Sequence, residues 1–269
     1  MLWNASSIKG YAVAASDGRL GTVSDFLFED ASWMVRWLVV DTGKWLSGRK
    51  VLLPPIVLGH PHPTEREFPV RLTKQQVKDS PEIDCDQPVS RQMENHVYGY
   101  YGWYPYWGSG LYMGGFGTMG GFGYMGGGLA GSPSPEYRRR QQHIMDTHTN
   151  DGDPHLRSIA AVHGYHIHAS DGEVGHVEDF LLDDTDWSIH YLVVDTKNWW
   201  PGKKVLISPG AAGKIDWKSR LVNLDVDRQK VKGSPIYDET TIIDRPYEAH
   251  FHSYYGEDRP RTSPERASD

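Results

Sequence analysis

Leu38-Val39-Val40-Asp41-Thr42 recurs as Leu192-Val193-Val194-Asp195-Thr196, and the offset from position 38 to position 192, 154 residues, holds without a gap from Gly10 and Gly164 to Tyr101 and Tyr255. Roughly four positions in ten are identical over nearly a hundred residues, which chance does not produce, so the chain carries a duplicated unit. Whatever one copy folds into, the other must fold into as well. At 269 residues the chain is long enough for two cores.

Within each copy the apolar residues come in short runs separated by turn signals. Gly10 to Ala14 reads as a strand, and Ser16-Asp17-Gly18 as a tight reversal, because Asp-Gly supplies the positive φ of a hairpin turn. Leu20, Val23, Phe26 and Phe28 alternate imperfectly, as in a strand with a bulge near Gly21. Trp33 to Thr42 is dense in β-branched and aromatic residues and reads as the central strand. Lys50 to Leu53 and the segment around Phe68 to Leu72 supply further strands. Thr73 and Asp227 sit where N-caps of short helices belong, with Ser80-Pro81 and Ser234-Pro235 as stops. A helical turn or two is expected around Ser90 to Val97.

Between the copies the composition changes. Tyr98 to Gly131 is nearly all glycine, aromatic residues and methionine, without a period from which to build an element, and polar residues continue to Pro154. The expected organisation is one barrel at 1–97, a disordered linker at 98–154, a second barrel at 155–256 and a disordered tail at 257–269.

Several function classes are disfavoured. A formal net charge of -7 opposes nucleic acid as the main partner. Cys85 is the single cysteine, so no intramolecular disulfide forms. No apolar run reaches the length of a spanning helix and no signal peptide is read at the N-terminus, so the expected location is cytoplasmic, with at most peripheral contact at the inner face of the membrane. The glycine-rich stretch lacks the Lys-Ser/Thr ending of a phosphate loop, and no nucleophile motif appears; no catalytic or cofactor-binding residue is assigned.

The repeated acids Asp17, Asp25, Asp30 and Asp41, with Asp171, Asp179, Asp184 and Asp195, read as turn and strand-end residues. His166 and His168 alternate along a strand and form a candidate metal pair, yet Ala12 and Ala14 hold those places in the first copy, so a surface pair is the reading adopted and no metal is assigned. Trp45, Leu46, Trp199 and Trp200 follow the central strands and are candidate protein-docking contacts; a lid packed over each barrel's open end explains them equally well.

The ordered series Asp17-Gly18, Gly21 to Leu27, Trp33, Leu38 to Thr42, Trp45, Gly48 to Leu52 and Pro55 resembles the PRC-barrel domain, and the second copy repeats it from Asp171 to Pro209. The resemblance implies a mainly β architecture, two small, strongly bent barrels followed by short helical segments. It implies a non-enzymatic adaptor or scaffold whose barrels dock onto protein partners. The alternative it carries is a role like that of the photosynthetic reaction centre H subunit, electron or proton transfer to a quinone through association with a membrane complex. Two near-equivalent copies with limited cores also favour self-association or an intramolecular pseudo-twofold pair, with Trp45 and Trp199 expected near the contact.

Overall fold

A computed structural model describes residues 1–46, 48–80, 155–196, 203–238, 243 and 245–255. The expected linker at 98–154, the turn around Ser90 to Val97, Trp199, Trp200 and the tail lie outside them. The chain divides into two units, one of residues 1–74 with 155–269 and one of residues 75–154. The second unit is described only over residues 75–80, and both sheets belong to the first.

The fold is mainly β, in two sheets. In the first copy β1 (Leu2–Asn4) leads into a single helical turn, α1 (Ala5–Ile8), followed by β2 (Ala12–Ala15), β3 (Gly18–Glu29), β4 (Met34–Asp41), β5 (Lys50–Leu53), β6 (Glu67–Pro69) and the short helix α2 (Lys74–Lys78). The second copy follows the same order with one strand more, β12, where the first copy has only isolated bridges: β7 (Leu156–Ser158), α3 (Ile159–Val162), β8 (His166–Ala169), β9 (Gly172–Asp183), β10 (Ile189–Asp195), β11 (Lys204–Ile207), β12 (Ala212–Asp216), β13 (Leu221–Leu224) and α4 (Arg228–Lys232). Beyond α4 it continues into β14 (Ile236–Tyr237) and α5 (Arg245–Tyr255), whose equivalent positions in the first copy lie outside the described residues.

The sheets run β5-β4-β3-β2-β6 and β12-β13-β8-β9-β10-β11-β14, antiparallel except where β6 joins β2 and β13 joins β8 in parallel. The long strands β3 and β9 bend. On one edge β3 pairs with β4, with register shifts at Val23/Asp25 and Leu27/Phe28; a third shift, against β2, leaves Leu20 as the extra residue beside Gly21. Such bulges let twelve residues curl around a small core. Leu20, Val23, Phe26, Phe28, Trp37 and Leu38 fill it in the first copy, each at most 2% exposed.

The repeated motif is explained by this bend. A Cβ on Gly21 or Gly175 would fall on the main-chain carbonyl of Asp41 or Asp195, so only glycine lets the two strands approach at the crossing. Directly after the crossing, the Asp41 carboxylate accepts from the Gly43 N–H at 2.8 Å. The Thr42 hydroxyl and N–H both donate to the Arg49 carbonyl, as those of Thr196 do to Lys203. Leu-Val-Val-Asp-Thr is therefore a strand plus the clamp that closes the following loop.

Asp17 does more than turn the hairpin. Its carboxylate accepts from the Lys74 N–H at 2.7 Å, and Asp171 from Arg228 at 2.8 Å, tying each hairpin to the start of a helix. The expected cap Asp227 accepts from Lys230 at 2.6 Å.

The two copies exchange their first strands. β1 pairs with β9 of the second copy, Leu2 opposite Asp183 and Asn4 opposite Leu181, while β7 pairs with β3 of the first, Leu156 opposite Glu29 and Ser158 opposite Leu27. These positions are equivalent under the 154-residue offset, which makes the contact isologous: each copy gives the other the same strand on the same edge. Exposed edges of β3 and β9 are thereby covered. At the hairpin tips Val35 N–H donates to the Trp187 carbonyl and Ile189 N–H to the Trp33 carbonyl, both at 2.8 Å. Trp33 and Trp187 both adopt positive φ, 56° and 59°. That backbone turns the indole of Trp187 onto Phe26 and Phe68 of the other copy, with ring centroids 6.1 and 5.3 Å apart.

Candidate functional site

A cleft of about 320 Å³ lies on the pseudo-twofold axis, lined by equivalent residues from both copies, among them Ala5 and Ile159, Lys9 and His163, Asp25 and Asp179, Phe26 and Phe180. Each acid stands at the bulge of its long strand and reaches across to the first helical turn of the other copy. Asp25 accepts from the Ser158 hydroxyl, from Ala160 N–H at 3.1 Å and from its neighbour Phe26 N–H at 2.8 Å. Asp179 accepts from the Ser6 hydroxyl at 2.5 Å, Ser6 N–H at 3.1 Å and Phe180 N–H at 2.8 Å. The reading of these two acids as strand-end turn residues is therefore corrected: they sit within strands and cap the partner copy's helical turn, satisfying N–H groups that a four-residue helix cannot.

Electrostatically the cleft is a compromise. Burial raises the carboxyls of Asp25 and Asp179, and the hydrogen bonds, with Lys9 and His163 at the rim, offset that only in part. With each carboxylate committed to three donors, neither is disposed to act as a base toward a bound molecule while the joint is intact. The remaining walls are apolar, from Val23, Phe26, Ile159 and Phe180.

Two further acids close the ends of the exchanged strands. Asp30 contacts Nδ1 of His155 at 3.0 Å and Nε of Arg157 at 3.1 Å. Its counterpart Asp184 accepts from the Met1 ammonium at 2.5 Å and the Trp3 indole at 3.0 Å, and meets His60 at 3.0 Å. Burial opposes ionisation of Asp184, but these three partners outweigh it and hold the carboxyl below its ordinary value. Asp25, Asp30, Asp179 and Asp184 thus form a polar fastening between the copies, whereas Asp41 closes a turn after its own strand and Asp17 and Asp171 hold their own copy's hairpin to a helix.

Trp45, Leu46, His166 and His168 lie away from this cleft. Trp45 and Leu46 lie half-buried in a 3-10 turn, Gly43–Leu46. The Trp45 indole donates to the Leu20 carbonyl, with the Lys74 ammonium 5.0 Å above its ring. Those contacts are all within the first copy; among the described residues the tryptophans at the joint are Trp3, Trp33 and Trp187. His166 is exposed, 3.4 Å from Glu173, while His168 on the same face of β8 is half-buried. Sequence reasoning missed Ser6, Lys9, Ser158 and His163. The signal present was a short polar residue at or beside an N-cap position in both copies, but which acid it would meet lies 133 and 173 residues away.

The comparisons with known proteins agree with the first-copy reading. Residues 4–60 match the PRC-barrel domain family. An uncharacterized protein of Deinococcus radiodurans is 35% identical over 92 residues, a stretch that covers 34% of this chain and 32% of the relative. The matched region thus spans about a third of that relative's length. No helix among the described residues is long and apolar enough to cross a membrane.

Proposed function

We propose that the chain is a non-enzymatic scaffold in which two PRC-type barrels, the second formed by residues 155–256, are locked into one body that presents protein-docking surfaces. The observation that carries this reading is the reciprocal exchange of β1 and β7, which makes two weakly cored barrels into one unit with fixed faces. The PRC-barrel match at residues 4–60 supports an interaction role, because that is the use the domain suggests. The commitment of each of the Asp25 and Asp179 carboxylates to three donors supports a structural rather than a catalytic cleft.

The docking face assigned to the first copy is the Gly43–Leu46 turn, where Trp45 is oriented by the Leu20 carbonyl and Lys74. Affinity capture of the full chain from its native cells, with in-cell crosslinking, tests this. A protein crosslinked at Lys44 or Lys74 that is held by the wild type and lost with Trp45→Ser plus Leu46→Ser, at unchanged thermal stability, is the expected result. Retention of every captured protein by that variant contradicts the assignment of the face. Capture of a quinone-containing membrane complex would favour the role in photosynthetic light reactions over a general scaffold.

A further inference from the structure

We propose that the turn joining β9 to β10 holds a first-row divalent transition-metal ion, with zinc as the representative, on Asp183, Asp186 and His190. One ligand atom from each lies within 4.8 Å of the other two. An imidazole nitrogen with two carboxylate oxygens is a donor set suited to zinc and its neighbours and poorly suited to magnesium or calcium, which prefer oxygen alone.

The second observation comes from the other copy. The equivalent positions are Glu29, Ser32 and Arg36. There the Arg36 guanidinium lies 2.5 Å from Glu29 and 3.4 Å from the Ser32 hydroxyl, which itself donates to Glu29 at 2.5 Å. This corner of the fold is a seat for a cation, filled in the first copy by the chain's own guanidinium. In the second copy the guanidinium is replaced by an imidazole and the hydroxyl by a further carboxylate. Glu29 and Arg36 form a pair of opposite charge, whereas the equivalent corner of the second copy brings two carboxylates and an imidazole, a set of ligands in place of a built-in cation.

The carboxylates are already oriented. Oδ1 of Asp186 accepts from Ser188 N–H at 2.9 Å and its hydroxyl at 2.6 Å, while Oδ1 of Asp183 accepts from Thr185 N–H at 3.0 Å. The Met1 ammonium also lies 3.3 Å from Oδ1 of Asp183, though it is closer to Asp184. Asp183 Oδ2 faces Nε2 of His190 at 3.7 Å, a separation that two ligands of one ion readily adopt. Three protein ligands leave coordination positions for water. The ion would brace the turn that carries Trp187 into the first copy.

Equilibrium dialysis of the full chain against zinc chloride tests the site. The double variant Asp186→Ser with His190→Arg installs the first copy's residues and should keep the fold while weakening zinc binding about tenfold or more. His166→Ala with His168→Ala should bind as the wild type does. Should the double variant fail to fold, Asp186→Asn, an isosteric change at an exposed side chain, is expected to give the same loss. Unchanged zinc binding in Asp186→Asn or in the double variant overturns the proposal. So does a wild type that holds no zinc.

Discussion

The first and second copies share glycine crossing, threonine clamp and, β12 apart, the order of strands from β1 to β6 and β7 to β13, yet they are not equally committed to the joint. Trp187 is 4% exposed and lies against Phe26 and Phe68, whereas Trp33 is half-buried and stacks on Phe28 with centroids 5.4 Å apart. In the second copy α5 packs its buried Phe251 edge-on against the Tyr191 ring at 4.9 Å, in a cluster with Leu181, Val193, Leu206 and Tyr237; the positions equivalent to α5 in the first copy lie outside the described residues. The duplication preserved the elements that bend the strands and fasten the copies, and let the tips diverge. Equivalent positions can therefore carry different fractions of one shared interface.

The sharpest way to break the equivalence is to truncate the two tryptophans separately. Trp187→Ala should cost about 3–5 kcal/mol, the range for a buried large aromatic, while Trp33→Ala should cost about 1–2 kcal/mol because that ring is already partly in water. Chemical denaturation of the full chain measures both. Equal losses would mean the tips contribute alike.

The glycine crossing sharpens the comparison next. Gly175→Ala and Gly21→Ala each force a Cβ onto a backbone carbonyl, and Gly175 in addition has φ of 155°. Losses of about 1–3 kcal/mol are expected for each, Gly175 at the upper end, read from the same denaturation curves.

A smaller effect belongs to the caps, where the copies should behave alike. Asp25→Asn and Asp179→Asn remove a charge whose burial is unfavourable but keep an acceptor, so each should change stability at neutral pH by less than the approximately 1 kcal/mol expected of Asp→Ala at a cap. The pH dependence has a definite sign. Both carboxyls are raised in the folded protein, so the fold binds the proton more tightly than the unfolded chain does. The stability they contribute is fully present below the unfolded value near 3.8 and is lost as pH rises through the raised folded value. Relative to the Asn variants the wild type should therefore gain stability on acidification through that window. A wild type that instead loses ground to both variants on acidification would reverse the assigned direction.

How much of this was legible in the sequence depended on the range of the interaction. The repeat, the Asp-Gly hairpins, the central strands and the Asp227 cap are local patterns, and each has a period or a turn residue to announce it. The bulge near Gly21 was legible for the same reason. β1 and β7 were not, since three residues carry no period, and Leu2-Trp3-Asn4 offers no reason to prefer one sheet over another. The handedness at Trp33 and Trp187 was equally hidden, because a bulky residue at positive φ runs against local preference and is held there by the partner copy. Asp25 and Asp179 looked like turn acids because their true partners belong to the opposite repeat. The imbalance at Asp183, Asp186 and His190 was visible as letters, but its meaning required the Glu29–Arg36 pair at the equivalent corner.

The central claim, that exchange of β1 and β7 makes the two copies one cooperative body, is tested most directly by native-state hydrogen exchange with mass spectrometry on the full-length wild type and on Trp187→Ala. In the wild type, peptides from β3–β4 and from β9–β10 should open with the same free energy, and the substitution in the second copy should lower protection in both by the same amount. Loss of protection confined to β9–β10, with β3–β4 unchanged, would show two independent barrels and contradict the account.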